Sequence, residues 1–411
     1  MKKKRAIVIG GGAAGLMAAG IAAERGMEVH LFEKMKQTGR KIGISGKGRC
    51  NLTNSTELTD FLTHFGKNGR FLRQCFDRFF SKELIDFFAD KGLAVTLERG
   101  GRYFPASGRA LDVVRVLNNW LKALGVTVHH QRRVTRIITE NNRVTGVECS
   151  GATYPCDSVV VATGGMSYPR TGSAGDGYGL LAEIGHKVTP LQPALVPLVS
   201  SHPALELVPE VELRNILLRL FIDRKKKTQE FGELYITGHI ISGPTALTLS
   251  SIAVEALNRN HEVTLCVDLK PALDEKKLTA RLMRDLKARR GEPVSSILRG
   301  LLPQQLVDIC LADCNIAQEI DTTSFPAKAR NNLVHWLKNF RLPVTGFRSW
   351  DEAIVTSGGI SLKEIDPRTM ESKLVQGLHV VGELLDLQAD TGGYNLQAAF
   401  STGWLAGMSV G

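Results

Sequence analysis

Gly10, Gly12 and Gly15 stand at the spacing G-x-G-x-x-G, directly after the apolar run Ala6-Ile7-Val8-Ile9. In that pattern the first glycine permits a tight turn, the second admits a pyrophosphate close to the backbone, and the third lets helix and strand approach. Glu33 closes the next apolar-alternating stretch, where a carboxylate meets the ribose hydroxyls of a dinucleotide. The chemistry on offer is the holding of an ADP-containing cofactor. A second stretch, Gly39 to Asn54, has four glycines and four cations (Arg40, Lys41, Lys47, Arg49) in sixteen residues. Its glycines let the backbone approach a ligand, and Arg49, Asn51, Thr53 and Asn54 can reach that ligand's edges. Cys50 and Leu52 would sit poorly in a fully solvated loop. Cys50 is also a polarisable donor able to supply a proton.

These groups need a strand, a glycine turn, a helix and a second strand to place them. Ala6–Ile9 reads as a strand buried on both faces, Leu16 to Arg25 as a helix closed by Gly26, and Val29 to Glu33 as the next strand. Residues 58–92 read as helical with a phenylalanine-rich core face. A hairpin about Gly100-Gly101, a helix from Ala110 to Leu124 and a meander through residue 147 follow. Ser158 to Ala162 returns as a parallel-type strand ending in Thr163-Gly164-Gly165, and His379-Val380-Val381 runs into Gly382-Glu383 and then a helix from Leu396. No other segment repeats the glycine spacing, so one cofactor is held tightly and a nicotinamide donor visits transiently.

The composition changes between about residues 190 and 345, where β-type runs precede four helical stretches. The expectation is an α/β chain: a Rossmann-type domain from residues 1–190 and 346–411, with an inserted substrate or cap domain over 191–345. That insert reads as a small antiparallel sheet plus helices. Lys276 to Arg290 is a basic helix, a solvated face or alternatively a phosphate-contact surface, and Arg224 to Lys227 reads as a charged hairpin tip.

Length and charge narrow the function. With 411 residues there is material for two or three domains. No apolar run is long enough to span a bilayer, which leads us to expect no membrane partner. The basic start at Met1 imitates a secretory signal, but the glycine spacing, Gly26 and Glu33 keep it in the fold. Seven scattered cysteines without a C-x-x-C pair suggest a reducing cytoplasm and no metal site. The net charge of +11 divides as +12 over residues 1–190, +3 over 191–345 and −4 over 346–411. A pyrophosphate needs about two of those charges, which leaves room for an anionic partner such as nucleic acid.

Taken together, the fingerprint, Gly39-Arg40-Lys41, Ser45 to Asn54, Ala162 to Gly165, Thr356-Ser357-Gly358-Gly359-Ile360, Gly382-Glu383 and Gly392 to Gln397 carry a resemblance. Over its whole length the chain resembles the BaiN/RdsA-type (YhiN-like, aminoacetone-oxidase-like) NAD(P)/FAD-dependent oxidoreductases. The resemblance implies FAD, a glutathione-reductase-like Rossmann domain built from both chain ends, and a middle domain over the flavin. It implies cofactor contacts from Gly10, Gly12, Ala14, Gly15, Glu33, Lys34, Arg40, Lys41, Gly46, Arg49, Asn51, Val134, Ala162, Thr163, Gly164, Gly382, Glu383, Gly393, Asn395, Leu396 and Gln397. Substrate contacts fall to Lys47, Arg49 and His239. The family pattern Thr-His-x-Gly before Ser-Gly-Pro reads Thr237-Gly238-His239-Ile240-Ile241-Ser242-Gly243-Pro244 here, with the histidine displaced by one position.

The resemblance associates such proteins with reduction of ribosomal RNA uridine to dihydrouridine, with steroid enone reduction and with amine oxidation. The basic amino-terminal half favours RNA, with NAD(P)H as reductant and Cys50 as the group protonating C5. Packing of Cys50 against the ring is the competing reading. A small-molecule oxidoreductase and a flavin carrier without turnover are the alternative classes.

Overall fold

The computed structural model describes residues 3–206 and 208–411. Met1 and Lys2 of the basic amino-terminal run lie outside the described residues. The chain divides into two compact units, Met1–Pro193 with Ala353–Gly411, and Ala194–Glu352.

The first unit is built on a five-stranded parallel sheet. Its order is Leu378–Val380, Ser158–Val161, Arg5–Ile9, Glu28–Glu33 and Thr127–His130. Apolar residues run through Ala6–Ile9 and Val159–Val161 because both faces of these strands are covered. The helix Ala13–Glu24 buries nearly every side chain. Two small residues explain how it is clasped. A Cβ on Gly20 would lie 2.1 Å from the Trp120 ring of the helix Ala110–Ala123, and one on Gly403 would lie 2.2 Å from Ala14 O. The carboxy-terminal helix Gly392–Ser409 therefore seats directly on the first helix. Gly20 meets a side-chain ring and Gly403 meets backbone, so even a methyl group at either would separate the helices.

The residues 58–92 reading resolves into Leu58–Thr63, a 3₁₀ turn Gly66–Leu72, Arg73–Phe76 and Ser81–Asp90. Phe61, Phe65, Phe76, Phe79 and Phe88 are buried, so their spacing reports packing. The meander gains a third strand, Ala152–Pro155.

The second unit corrects the expected small sheet. It is a closed six-stranded barrel in the order Leu198–Ser200, Ile240–Ser242, Lys225–Thr237, Val211–Ile222, Val263–Asp268 and Phe340–Phe347. Phe340–Phe347 closes it by pairing with both Val263–Asp268 and Leu198–Ser200. The preceding helix, Ala327–Lys338, ends two residues before Phe340, and Phe340, Leu342 and Val344 then alternate inward with Pro343 outward. Asp223 and Arg224 turn the charged hairpin at positive φ. In the basic helix Glu275–Ala288, Leu278, Leu282 and Leu286 face the core, while Lys276, Lys277, Arg284 and Lys287 are exposed.

Among the described residues, no helix is long and apolar enough to cross a membrane. No group of three His, Cys, Asp or Glu residues among them could hold a metal ion. Cys310 and Cys314 are both buried on one helix flank.

Candidate active site

The carboxyl ends of the central strands deliver most of the sequence-predicted residues to one place. Gly10 turns at φ +102, and a Cβ there would lie 2.6 Å from Ala162 O. Gly15 has even less room, since its Cβ would lie 1.9 Å from Gly10 O. Gly12 differs. It caps the first helix in extended backbone without a side-chain cap, and a Cβ there would meet nothing within 4 Å. The helix thus opens its first turn of N–H groups towards free space, an arrangement that stabilises a phosphate.

Glu33 stands beside that opening. Its carboxylate accepts the Gly11 N–H at 2.8 Å and the Met35 N–H at 2.7 Å, one on each oxygen. Each oxygen keeps a further acceptor site for a ribose hydroxyl. Ala14 lies against Gly382, whose Cβ position is 3.0 Å from the Ala14 Cβ. Thr163 Oγ1 is buried without a partner in the loop that touches Gly10. An orphaned hydroxyl, a helix opening without a cap and a vacant Cβ position at Gly12 all fit a bound dinucleotide.

A second cluster joins four distant segments. Glu383 accepts Lys41 Nζ at 2.6 Å, Ser167 Oγ at 2.9 Å, the Thr356 N–H at 2.8 Å and the Gly165 N–H at 3.4 Å. Lys41 Nζ also bonds to Ser167 Oγ, and Thr356 Oγ1 accepts the Met166 N–H at 2.7 Å. Four donors occupy the Glu383 carboxylate, which ties the second glycine loop to the strand ends. Ser167 and Thr356 were missed as site residues. Thr356 lies within the quoted Thr-Ser-Gly-Gly-Ile motif, which was the available signal.

The second glycine stretch is not a loop throughout. Arg40–Gly48 is a helix broken by non-helical Ser45, Gly46 and Lys47, with positive φ at Gly46, Lys47 and Gly48. Arg40 donates to Arg170 O at 3.1 Å and Lys34 pairs with Asp176 at 2.5 Å. Arg49 pairs with Glu98 and lies 4.3 Å from the Phe104 ring centroid. With its amide oriented to satisfy both groups, Asn51 donates to Thr53 O at 3.1 Å and accepts the Gly393 N–H at 3.2 Å. The motifs at the two chain ends thus touch through Asn51.

Several expectations are placed elsewhere. Cys50 is fully buried in the core, and burial pushes its thiol up to about 12. No face of the thiol is open to solvent. Val134 is buried at the start of Val134–Glu140. Asn395 staples its own loop through Ala389 and Thr391 O, and Gln397 is buried against Ser401. Gln397 Oε1 is buried without a partner, and Asn395 and Leu396 are partly buried. Lys47 is exposed, and His239 belongs to the barrel unit, at its Gly238-His239 turn, with a buried unpartnered Nδ1.

The family model for the HI0933-like protein Rossmann domain matches residues 4–409. The chain belongs to the HI0933-like family. It is 32% identical over 408 residues to a 3-dehydro-bile acid delta(4,6)-reductase of Clostridium scindens, covering 98% of both chains. It is 29% identical over 405 residues to a ribosomal RNA dihydrouridine synthase of Escherichia coli K12, covering 98% of this chain and 97% of that one. Among solved structures, a 3-ketosteroid delta1-dehydrogenase from Sterolibacterium denitrificans shares the fold, with a TM-score of 0.53 at 13% identity over 99% of each chain. This HI0933-like chain is therefore an FAD-dependent oxidoreductase with a Rossmann-type cofactor domain.

Proposed function

We propose that this chain is an NAD(P)H-fuelled reductase of a carbon–carbon double bond conjugated to a carbonyl, and that its substrate is a uracil ring in ribosomal RNA. Both relatives' names describe reduction of such a bond, an enone in one and the uracil C5=C6 bond in the other. The observation that carries the RNA substrate is the +12 surplus of residues 1–190, well beyond the roughly two charges a pyrophosphate needs. A second reading, a small-molecule enone reductase, is favoured by the 32% identity to the bile acid enzyme.

The N–H groups opening at Ala13, with Gly12 leaving space before them, hold the pyrophosphate of FAD. Glu33 orients the adenosine ribose through its free acceptor sites. Lys41 is held by Glu383 and Ser167, which keeps an ammonium fixed at the strand ends. When bound, FAD supplies a two-electron carrier between the nicotinamide and the conjugated alkene. The nicotinamide donor finds no second glycine fingerprint and visits only transiently.

Deleting the gene and mapping dihydrouridine across ribosomal RNA tests the substrate. Loss of one modified position, restored by the wild-type gene, supports the RNA reading. An unchanged map, with turnover of a steroid enone by purified enzyme, supports the small-molecule reading instead.

A further inference from the structure

The hairpin Val95–Glu98 and Arg102–Pro105 meets the broken helix Arg40–Gly48 and the start of the helix Ala110–Ala123. Arg49 connects them, paired with Glu98 and stacked on Phe104. Arg102 lies over the same ring at 5.8 Å. A Cβ on Gly43 would touch Leu111 Cδ2 at 3.2 Å, and one on Gly46 would touch Phe104 at 3.5 Å. These segments form one continuous face of the first unit.

Charge on this face is one-sided. Lys47 and Arg99 are exposed and make no side-chain hydrogen bond or ion pair among the described residues. Among the described residues the Arg102 guanidinium hydrogen-bonds to Arg99 O alone, at 3.1 Å. Arg109 is exposed and stands 3.9 Å from Asp112, a carboxylate already engaged at 3.0 Å by Arg115. The hairpin's one acid, Glu98, is neutralised by Arg49, which holds its carboxyl below the usual range. Apolar side chains are exposed here too: Ile44 at 46%, and Leu111 at 63% beside Gly43.

We infer that this face docks the RNA substrate as an unpaired strand or loop, resting on the RNA reading above. Phosphates meet Lys47, Arg99, Arg102 and Arg109, while splayed bases lie on Ile44 and Leu111. Alternating cations and apolar surface suit single-stranded RNA, whose unstacked bases present π-faces between phosphates. A protein partner would use the apolar residues but would not need this surplus of exposed cations.

The test measures anisotropy of a labelled unpaired ribosomal RNA fragment bound to FAD-loaded protein at several salt concentrations. Wild type is compared with the triple variant Arg99→Ala/Arg102→Ala/Arg109→Ala, and with Lys276→Ala/Lys277→Ala/Arg284→Ala on the inserted helix. Flavin content, melting temperature and the rate of flavin reduction by NAD(P)H confirm that each variant is intact. The first triple should bind at least about tenfold more weakly at low salt. Its slope of log affinity against log salt should flatten by about 2, since each contact to a single strand releases about 0.7 counterion. The inserted-helix triple should bind like wild type. If the first triple also binds like wild type, this face is not the dock and the RNA reading survives. If wild type itself shows no salt-dependent binding, the RNA reading falls and takes the docking face with it.

Discussion

At the first glycine turn, a Cβ on Gly15 would lie 1.9 Å from a backbone oxygen, while at the second glycine stretch a Cβ on Gly48 would meet nothing within 4 Å. The first stretch uses missing side chains to bring a helix, a strand and a loop into contact. The second uses them to reverse the backbone, through Gly46 at φ +56 and Gly48 at φ +82. Glycine at the first site answers above all a demand for space, with Gly10 also at positive φ, and at the second a demand for left-handed geometry. Gly12 belongs to neither class. It has room and ordinary extended backbone, so local structure does not explain it, whereas a phosphate approaching the helix N-terminus would.

The largest effect should separate Gly15 from Gly12. Gly15→Val pushes a side chain into Gly10 O and should abolish folding of the first unit, giving insoluble protein or no cooperative melt. Gly12→Val enters open space in permitted backbone, φ −84 and ψ −168, so the fold should persist. Its methyl groups would occupy the approach to the helix N-terminus, and FAD affinity should fall at least about a hundredfold, roughly 3 kcal/mol. Equilibrium dialysis with FAD and a thermal melt check both. A Gly12→Val protein with wild-type FAD affinity would make that vacancy a packing accident.

The comparison also marks what the sequence could say. The first turn was legible because its demands are local: strand, glycines, helix and acid fall within about thirty residues. Glu383 and Lys41 are 342 positions apart, and nothing near either announces the ion pair. The break inside Arg40–Gly48 hid a helix among glycines, so the stretch read as loop. In the barrel, Phe340–Phe347 was concealed by Pro343 and by a helix ending two residues before it, although Phe340, Leu342 and Val344 already alternate. Barrel closure depends on pairing to strands far away in sequence, and an alternating run alone cannot reveal its partners.

Acid should sharpen the contrast, because the cradle rests on a fully covered sheet and the second stretch does not. His379, in the strand that leads to Gly382, is buried with both ring nitrogens unpartnered. Burial pushes it down to about 4 from 6.5, against a smaller opposing pull from Glu371. Between these values the unfolded chain binds the proton and the folded chain does not. Stability is therefore full above about pH 6.5 and falls as pH drops towards 4, by on the order of 3 kcal/mol. Denaturant melts from pH 7 to 4 should show this loss, and His379→Gln should flatten it. An equal acid loss in the variant would remove His379 as the cause.

The smallest effect is expected at Cys50, and it decides whether the second stretch holds chemistry or only shape. The residue adopts φ +61, its N–H bonds to Ser45 O at 2.9 Å, and its side chain is fully buried. A thiol pushed up to about 12 stays protonated at neutral pH, but a proton donor must also reach the reacting carbon. Cys50→Ala should cost about 1 kcal/mol of stability, the scale of one buried methylene-sized group. It should leave FAD content unchanged and kcat/KM within about twofold on whichever substrate the dihydrouridine map or the enone assay identifies. The side chain would then serve to close the core beneath a loop whose exposed cations face outward. A loss above about tenfold at full flavin content would instead mean that the thiol becomes accessible during turnover, and the second stretch would join the first as part of the reaction machinery.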